Sequence, residues 1–278
     1  AAQVTGTPIG GAGTKTITRL NADLDADLSN ISSGTITAAF EDDGTFTGDL
    51  GSATVTVTDS KTMTAGYSVL NGKTINHDGS ESGQALVIQI TESDKAGDVG
   101  NVSGNIAKSI SFTESQTFTG NVQSLTSTIE NSVTVTAAAD EFDAKTVNGA
   151  GQLTLTGTGT GGTDLSNISA DILDITGANL SAGVTFASTI SSGDEIKATA
   201  AQVTGKTIAG AGVLTISGTA SDTNFSALTA AVVDVTAATL NGTSNFGSAI
   251  AEGDEFRFTA AQVTGKTIGG AGTKTVIK

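Results

Sequence analysis

The chain has 278 residues, 13 Lys and Arg against 28 Asp and Glu, a formal charge of −15 and no cysteine. The acidic balance argues against a nucleic-acid surface, and the missing cysteines exclude disulfides, thiol catalysis and thiolate metal sites. Nothing approaches the ~18 apolar residues of a membrane span, and aromatics at 4% with no Trp argue against a broad globular core.

Taken in order, alternating apolar runs begin at Thr14 (TKTIT), Gly34 (GTITAAF), Ala53 (ATVTVT), Ala85 (ALVIQI), Lys108 (KSISFT), Asn131 (NSVTVT) and Gln152 (QLTLT). They continue at Asp171 (DILDIT), Asp194 (DEIKAT), Val213 (VLTIS), Ala231 (AVVDVT), Asp254 (DEFRFT) and Thr273 (TKTVI). Successive side chains of a strand face opposite ways. Leu153 and Leu155, Val133 and Val135, Ile110 and Phe112, Val233 and Val235, and Phe256 and Phe258 therefore share an inner face. Glu255 and Arg257 fall on the outer one.

Most runs are spaced 18 to 23 residues apart, with one step of 32 between Ala53 and Ala85. Superimposed on this spacing is a longer repeat. AAQVTGKTIAGAGVLTISG at 200 returns sixty positions later as AAQVTGKTIGGAGTKTVIK at 260, and residues 1–18 read AAQVTGTPIGGAGTKTIT. The first residue thus falls inside a repeat, which points to a processed or excised segment. Sandwich strands recur every ~8–12 residues with turn signals between them. Strong strands twice as far apart, with like residues at like positions, predict stacked rungs instead. The expected fold is all-β, a parallel β-solenoid with coils of about twenty residues; tandem β-sandwich repeats are the alternative. Twelve steps of ~4.8 Å would give a rod of ~58 Å. The expected organisation is one continuous repeat rod over 1–278, with irregular coils at 1–66 and 85–151, an insertion loop at 67–84 and regular three-coil repeats at 152–278.

LTLTGTGTGGTDLSNIS and LTISGTASDTNFSAL, with their neighbours, resemble large bacterial secreted repeat proteins of the haemagglutinin-like, long-adhesin, S-layer or matrix type. The resemblance covers essentially the whole chain and is one of sequence style. It implies an extracellular or cell-surface role in adhesion, coating or filament formation. The glycine corners also resemble the RTX β-roll nonapeptide through Gly10, Gly11, Gly13 and Ile17. Lys15, Lys274 and Leu214 stand where its calcium-ligating Asp belongs, so that calcium roll is not carried over.

Asp23, Asp25 and Asp27 form a D-x-D-x-D run whose alternate carboxylates suit a hard cation, making calcium the one candidate cofactor. Leu28 occupies the place of the EF-hand glycine, and a solvated acidic loop is the alternative. The long step around 67–84 holds Tyr67, Lys73, His77, Asp78 and Glu81, a candidate partner-binding loop that includes the only His and the only Tyr. Outward threonines (Thr54, Thr56, Thr58, Thr134, Thr136, Thr154, Thr156) suggest an ice-binding face, but Asp174, Asp234 and Arg257 interrupt the outer phase. Asp42–Asp43 and Asp140, Glu141 and Asp143 offer carboxylate pairs for glycan acid–base chemistry, without the Trp, Tyr and Arg that usually line a sugar cleft.

Lys15 and Lys274 fall on the inner phase held by Leu214, which marks them as junction residues where a charged head reaches water. Both ends carry one phrase and show no cap, so head-to-tail contacts would be heterologous and would build a fibre. The expected function is an extracellular structural or adhesive surface protein, not an enzyme, that stacks into a filament, coat or stalk. A surface glycan or cell-wall component is a further expected partner. The alternative is a carbohydrate-binding or carbohydrate-cleaving β-helix, or a phage-type fibre.

Overall fold

The computed structural model describes residues 4–79, 83–159, 162–180, 185–186, 189–246, 250–266 and 268–277. The chain is a parallel β-solenoid of about 12 turns, here called coils, with about 20 residues in each and 51% of residues in strands. The backbone divides into two compact units, Ala1–Thr128 and Ile129–Lys278. No described helix is long and apolar enough to cross a membrane.

In the first unit each coil contributes to two faces. One face stacks Lys15–Ile17, Ile36–Phe40, Thr54–Val57 and Ile75–His77 in parallel. The other stacks Gly44–Phe46, Thr62–Gly66, Ala85–Ile90 and Ala107–Phe112. This arrangement corrects the insertion at 67–84. Thr62 pairs with Ala85, so that coil advances by an ordinary 23 residues. The step of 32 arises because the strongest alternation passes from one face to the other after Val57. The strand Thr62–Gly66 buries only Met63 and Ala65 and is weakly patterned.

In the second unit the strands Thr134–Ala138, Val147–Gly159, Ile168–Leu180, Glu195–Thr199, Ile208–Ser221, Leu228–Asn241, Glu255–Thr259 and Thr273–Ile277 stack in parallel. Register sets the core. Val135, Leu153, Leu173, Ile196, Leu214, Val233, Phe256 and Lys274 form one inward column. Every apolar member is buried, each contributing about 1.5–3 kcal/mol relative to exposure. Phe246 packs edge-on to Phe256 and Phe258 at 5.9 and 5.1 Å, and those two stack at 4.7 Å.

The glycine corners have two separate causes. Gly210 and Gly270 sit at φ +114 and +96, where a side chain is strained. Two residues on, a Cβ at Gly212 or Gly272 would lie 2.4 or 2.2 Å from atoms of the preceding coil. One glycine turns the chain and the next lets neighbouring coils approach.

Leu155 is fully buried, whereas its neighbour Thr156 faces outward and donates its hydroxyl to the Ala137 carbonyl at 3.1 Å. Leu155→Ala is expected to cost about 2–5 kcal/mol, and Thr156→Ala about 0.5–1.5 kcal/mol. Denaturant melts of the two variants check the inward and outward assignment.

Candidate functional site

A second inward position recurs at a corner in a form the sequence reading overlooked. Asp27, Asp49, Asp98, Asn121, Asp164 and Asn224 each accept the backbone N–H two residues on, at 2.7–3.1 Å. The residue between is always apolar and buried: Leu28, Leu50, Val99, Val122, Leu165 and Phe225. Backbone bridges pair Asp27 with Asp49, Asp98 with Asn121 and Asn224 with Asn245. These are Asx turns, in which a short polar side chain holds the corner while the next residue enters the core. The signal is legible in the sequence as Asp or Asn followed by Leu, Val or Phe and then a small or polar residue.

This corner accounts for part of the D-x-D-x-D run. Asp27 is its Asx residue, and the Ser29 hydroxyl and N–H hold the carboxyl below its ordinary range. Asp23 accepts the Thr5 hydroxyl at 3.0 Å, and Asp25 is exposed. Among the described residues no three carboxylate, His or Cys groups gather around one ion position.

The residues of 67–84 are not drawn into one surface. Tyr67 is buried, starts the corner helix Tyr67–Leu70, and accepts the Asp98 N–H at 3.2 Å. Lys73 donates to the Gly51 carbonyl of an earlier coil. His77 ends a strand and takes the Gly79 N–H on Nδ1 at 2.8 Å, while Asp78 accepts from Gln84 at 3.2 Å. Glu81 lies outside the described residues. Of the carboxylates considered for glycan chemistry, Asp43 and Asp143 each accept a backbone N–H of the next coil at 2.7 Å. Asp42 accepts from Asn21 at 3.1 Å and lies 3.4 Å from Lys61.

The repeated phrase AAQVTG is a corner lock. Ala200–Val203 and Ala260–Val263 are single helical turns closed by capping boxes between Thr199 and Gln202 and between Thr259 and Gln262. The Gln202 amide then donates to the Ile175 and Ala178 carbonyls at 2.8 and 2.7 Å, and Gln262 does the same to Val235 and Ala238. Those carbonyls flank tight turns in which Asp174 and Asp234 accept the hydroxyl and N–H of Thr176 and Thr236. Asp-x-Thr and the Gln of a following coil thus form one unit, repeated after sixty residues. Gln262→Ala leaves two carbonyls without their donor and is expected to cost about 1–3 kcal/mol, read as a lowered denaturation midpoint with unchanged slope.

On the outer face of the second unit, Asp174, Lys197, Thr215, Asp234, Arg257 and Thr275 stand in register. Glu195 accepts the Thr215 hydroxyl and Glu255 the Thr275 hydroxyl, both at 2.6 Å. Arg257 lies 2.7 Å from Glu255 and 3.9 Å from Asp234. Bonds from Arg257 and Thr275 hold the Glu255 carboxyl below its usual range. Such half-exposed pairs are worth at most about 1 kcal/mol; their role is to keep coils in register.

Beside them lies an open groove bordered by Asp171, Asp194, Glu195 and Arg257. Partial burial and the charge of Asp171 push Asp194 upward, against a smaller opposing effect from Ser191. A cavity of about 110 Å³ beside Leu173 and Ile196 is below the ~300 Å³ of ordinary ligand pockets. No protein family, no curated protein and no solved structure matches the chain.

A raised folded-state value means that ionising Asp194 opposes folding once the pH passes its ordinary value of 3.8. Asp194→Asn is therefore expected to raise the melting temperature at pH 7. The difference should vanish below about pH 3.8. Melts of both proteins across that pH range check the sign.

Proposed function

We propose that the chain is a structural building block of an extracellular or cell-surface assembly, joined head to tail through the ends of its solenoid into a filament, coat or stalk. The observation that carries this reading is the state of one repeated phrase in three surroundings. Ile17 and Ile216 are buried, each with a coil stacked on it. Val276 stands at the matching position with no later coil in the 278-residue chain, and is 51% exposed. Ile277 beside it is 44% exposed.

Exposed apolar side chains on an unpaired strand edge are a template for further strands. The acidic, cysteine-free composition and the resemblance to secreted surface repeats support the extracellular placement. The abundance of coil-to-coil locks and the small cavities favour a scaffold over a small-molecule site.

Sedimentation velocity and electron microscopy of the purified chain test the reading. Linear fibres that lengthen with protein concentration are expected. Val276→Asp, at an edge position that tolerates charge in the monomer, should weaken association by roughly 10- to 100-fold. A chain that stays monomeric at every concentration, or a Val276→Asp variant that assembles unchanged, overturns it.

A further inference from the structure

The first and last coils carry the same phrase, and the contacts of the first are on the page. Lys15 donates its N–H to the Thr35 carbonyl of the following coil at 2.8 Å. Its ammonium bonds the carbonyls of Gly11 and Gly13 in its own coil and of Ser33 in the next. Ile9 bridges Ile31, and Thr16 meets Thr37.

The last coil repeats half of this set. Lys274 bonds Gly270 and Gly272, the counterparts of Gly11 and Gly13. The third acceptor, which Lys15 takes from its following coil, has no counterpart. Thr273 donates its N–H back to Asp254, so the N–H of Lys274, one residue on, points to the opposite edge. That is the direction in which Lys15 finds Thr35.

We propose that residues 260–277 of one copy take the seat of residues 1–18 on a second copy, stacking on its residues 19–40. The inference rests on the self-assembly reading above and names its junction. In this exchange Lys274 would meet Thr35, Ser33 and Ile36 of the second copy, as Lys15 does within its own chain. Every coil keeps neighbours that its sequence already has.

Simple stacking of the last coil on an intact first coil would instead set Lys274 directly against Lys15. Like charges at directly paired positions repel. The first coil is also held on one side only. Gly13 has open space where Gly212 and Gly272 meet the preceding coil. Exchange gives up the first coil's contacts, regains the same set from the last coil, and covers Val276 and Ile277.

Two prolines separate the donor from the seat. Lys15→Pro removes the bond to Thr35 and frees the seat, so assembly is expected at roughly tenfold lower protein concentration than for the unmodified chain. Lys274→Pro removes only an edge-facing N–H and the lysine head, and should abolish assembly alone and in the double variant. A synthetic peptide of residues 260–278 should bind the double variant, whose seat is open, and not the Lys274→Pro single variant, whose seat is filled.

Circular dichroism confirms that each variant keeps its strands. If Lys15→Pro unfolds the chain, Lys15→Ala makes the same comparison by removing only the ammonium bonds. Fibres in the unmodified chain with no gain from either Lys15 variant and no peptide binding overturn the exchange but leave head-to-tail assembly standing. A monomeric unmodified chain whose Lys15 variants assemble and whose double variant binds the peptide does the reverse.

Discussion

Parallel stacking without a register slip is the constraint on which the rest of the structure depends. A side chain on one coil sits over the same position of the coil before it, and a slip of one residue would turn the whole inward column to solvent. The column from Val135 through Leu153, Leu173, Ile196, Leu214, Val233 and Phe256 is continuous because each intervening corner restores the phase. The corners are built to do this. They combine left-handed glycines at 210 and 270, Asx turns at 27, 49, 98, 121, 164 and 224, and the glutamine locks at 202 and 262.

The strands and their inner faces were legible in the sequence because one narrow core leaves little besides alternation to satisfy. Leu153, Leu155, Val233, Val235, Phe256 and Phe258 are all buried, while Glu255 and Arg257 remain partly exposed. The boundaries of the first unit were less legible. Two faces share the core there, and periodicity marks whichever is more apolar. ATVTVT lies on one face and ALVIQI on the other, while TMTAG between them presents only a methionine and an alanine inward. A change of face reads as a long gap.

The polar residues were the least legible part, because a carboxylate looks the same in sequence whatever faces its lone pairs. Asp27 serves a backbone N–H two residues away, and Asp43 and Asp143 serve those of the next coil. Tyr67, singled out as unique, is a packing residue against Gly97, where a Cβ would lie 2.8 Å from the ring. Period carries more information than rarity here. The AAQVTG phrase recurs because a glutamine two residues after a helical turn begins can reach the carbonyls that a bulge leaves open.

The same logic gives the inward lysines a place. A lysine at the first inward position of a strand bends its ammonium back to the carbonyl four residues earlier at Lys15, Lys108 and Lys274. The stem lies along the core while the charge rests on backbone dipoles. Lys108 does so over Leu86, within the stack, so the position admits lysine wherever a glycine-rich corner turns its carbonyls inward. Lys15 adds a bond to the following coil, which makes it a tie between coils as well as a plug. A solenoid whose repeated phrase carries such a tie specifies its neighbour by sequence, and any coil with that phrase competes for the same seat.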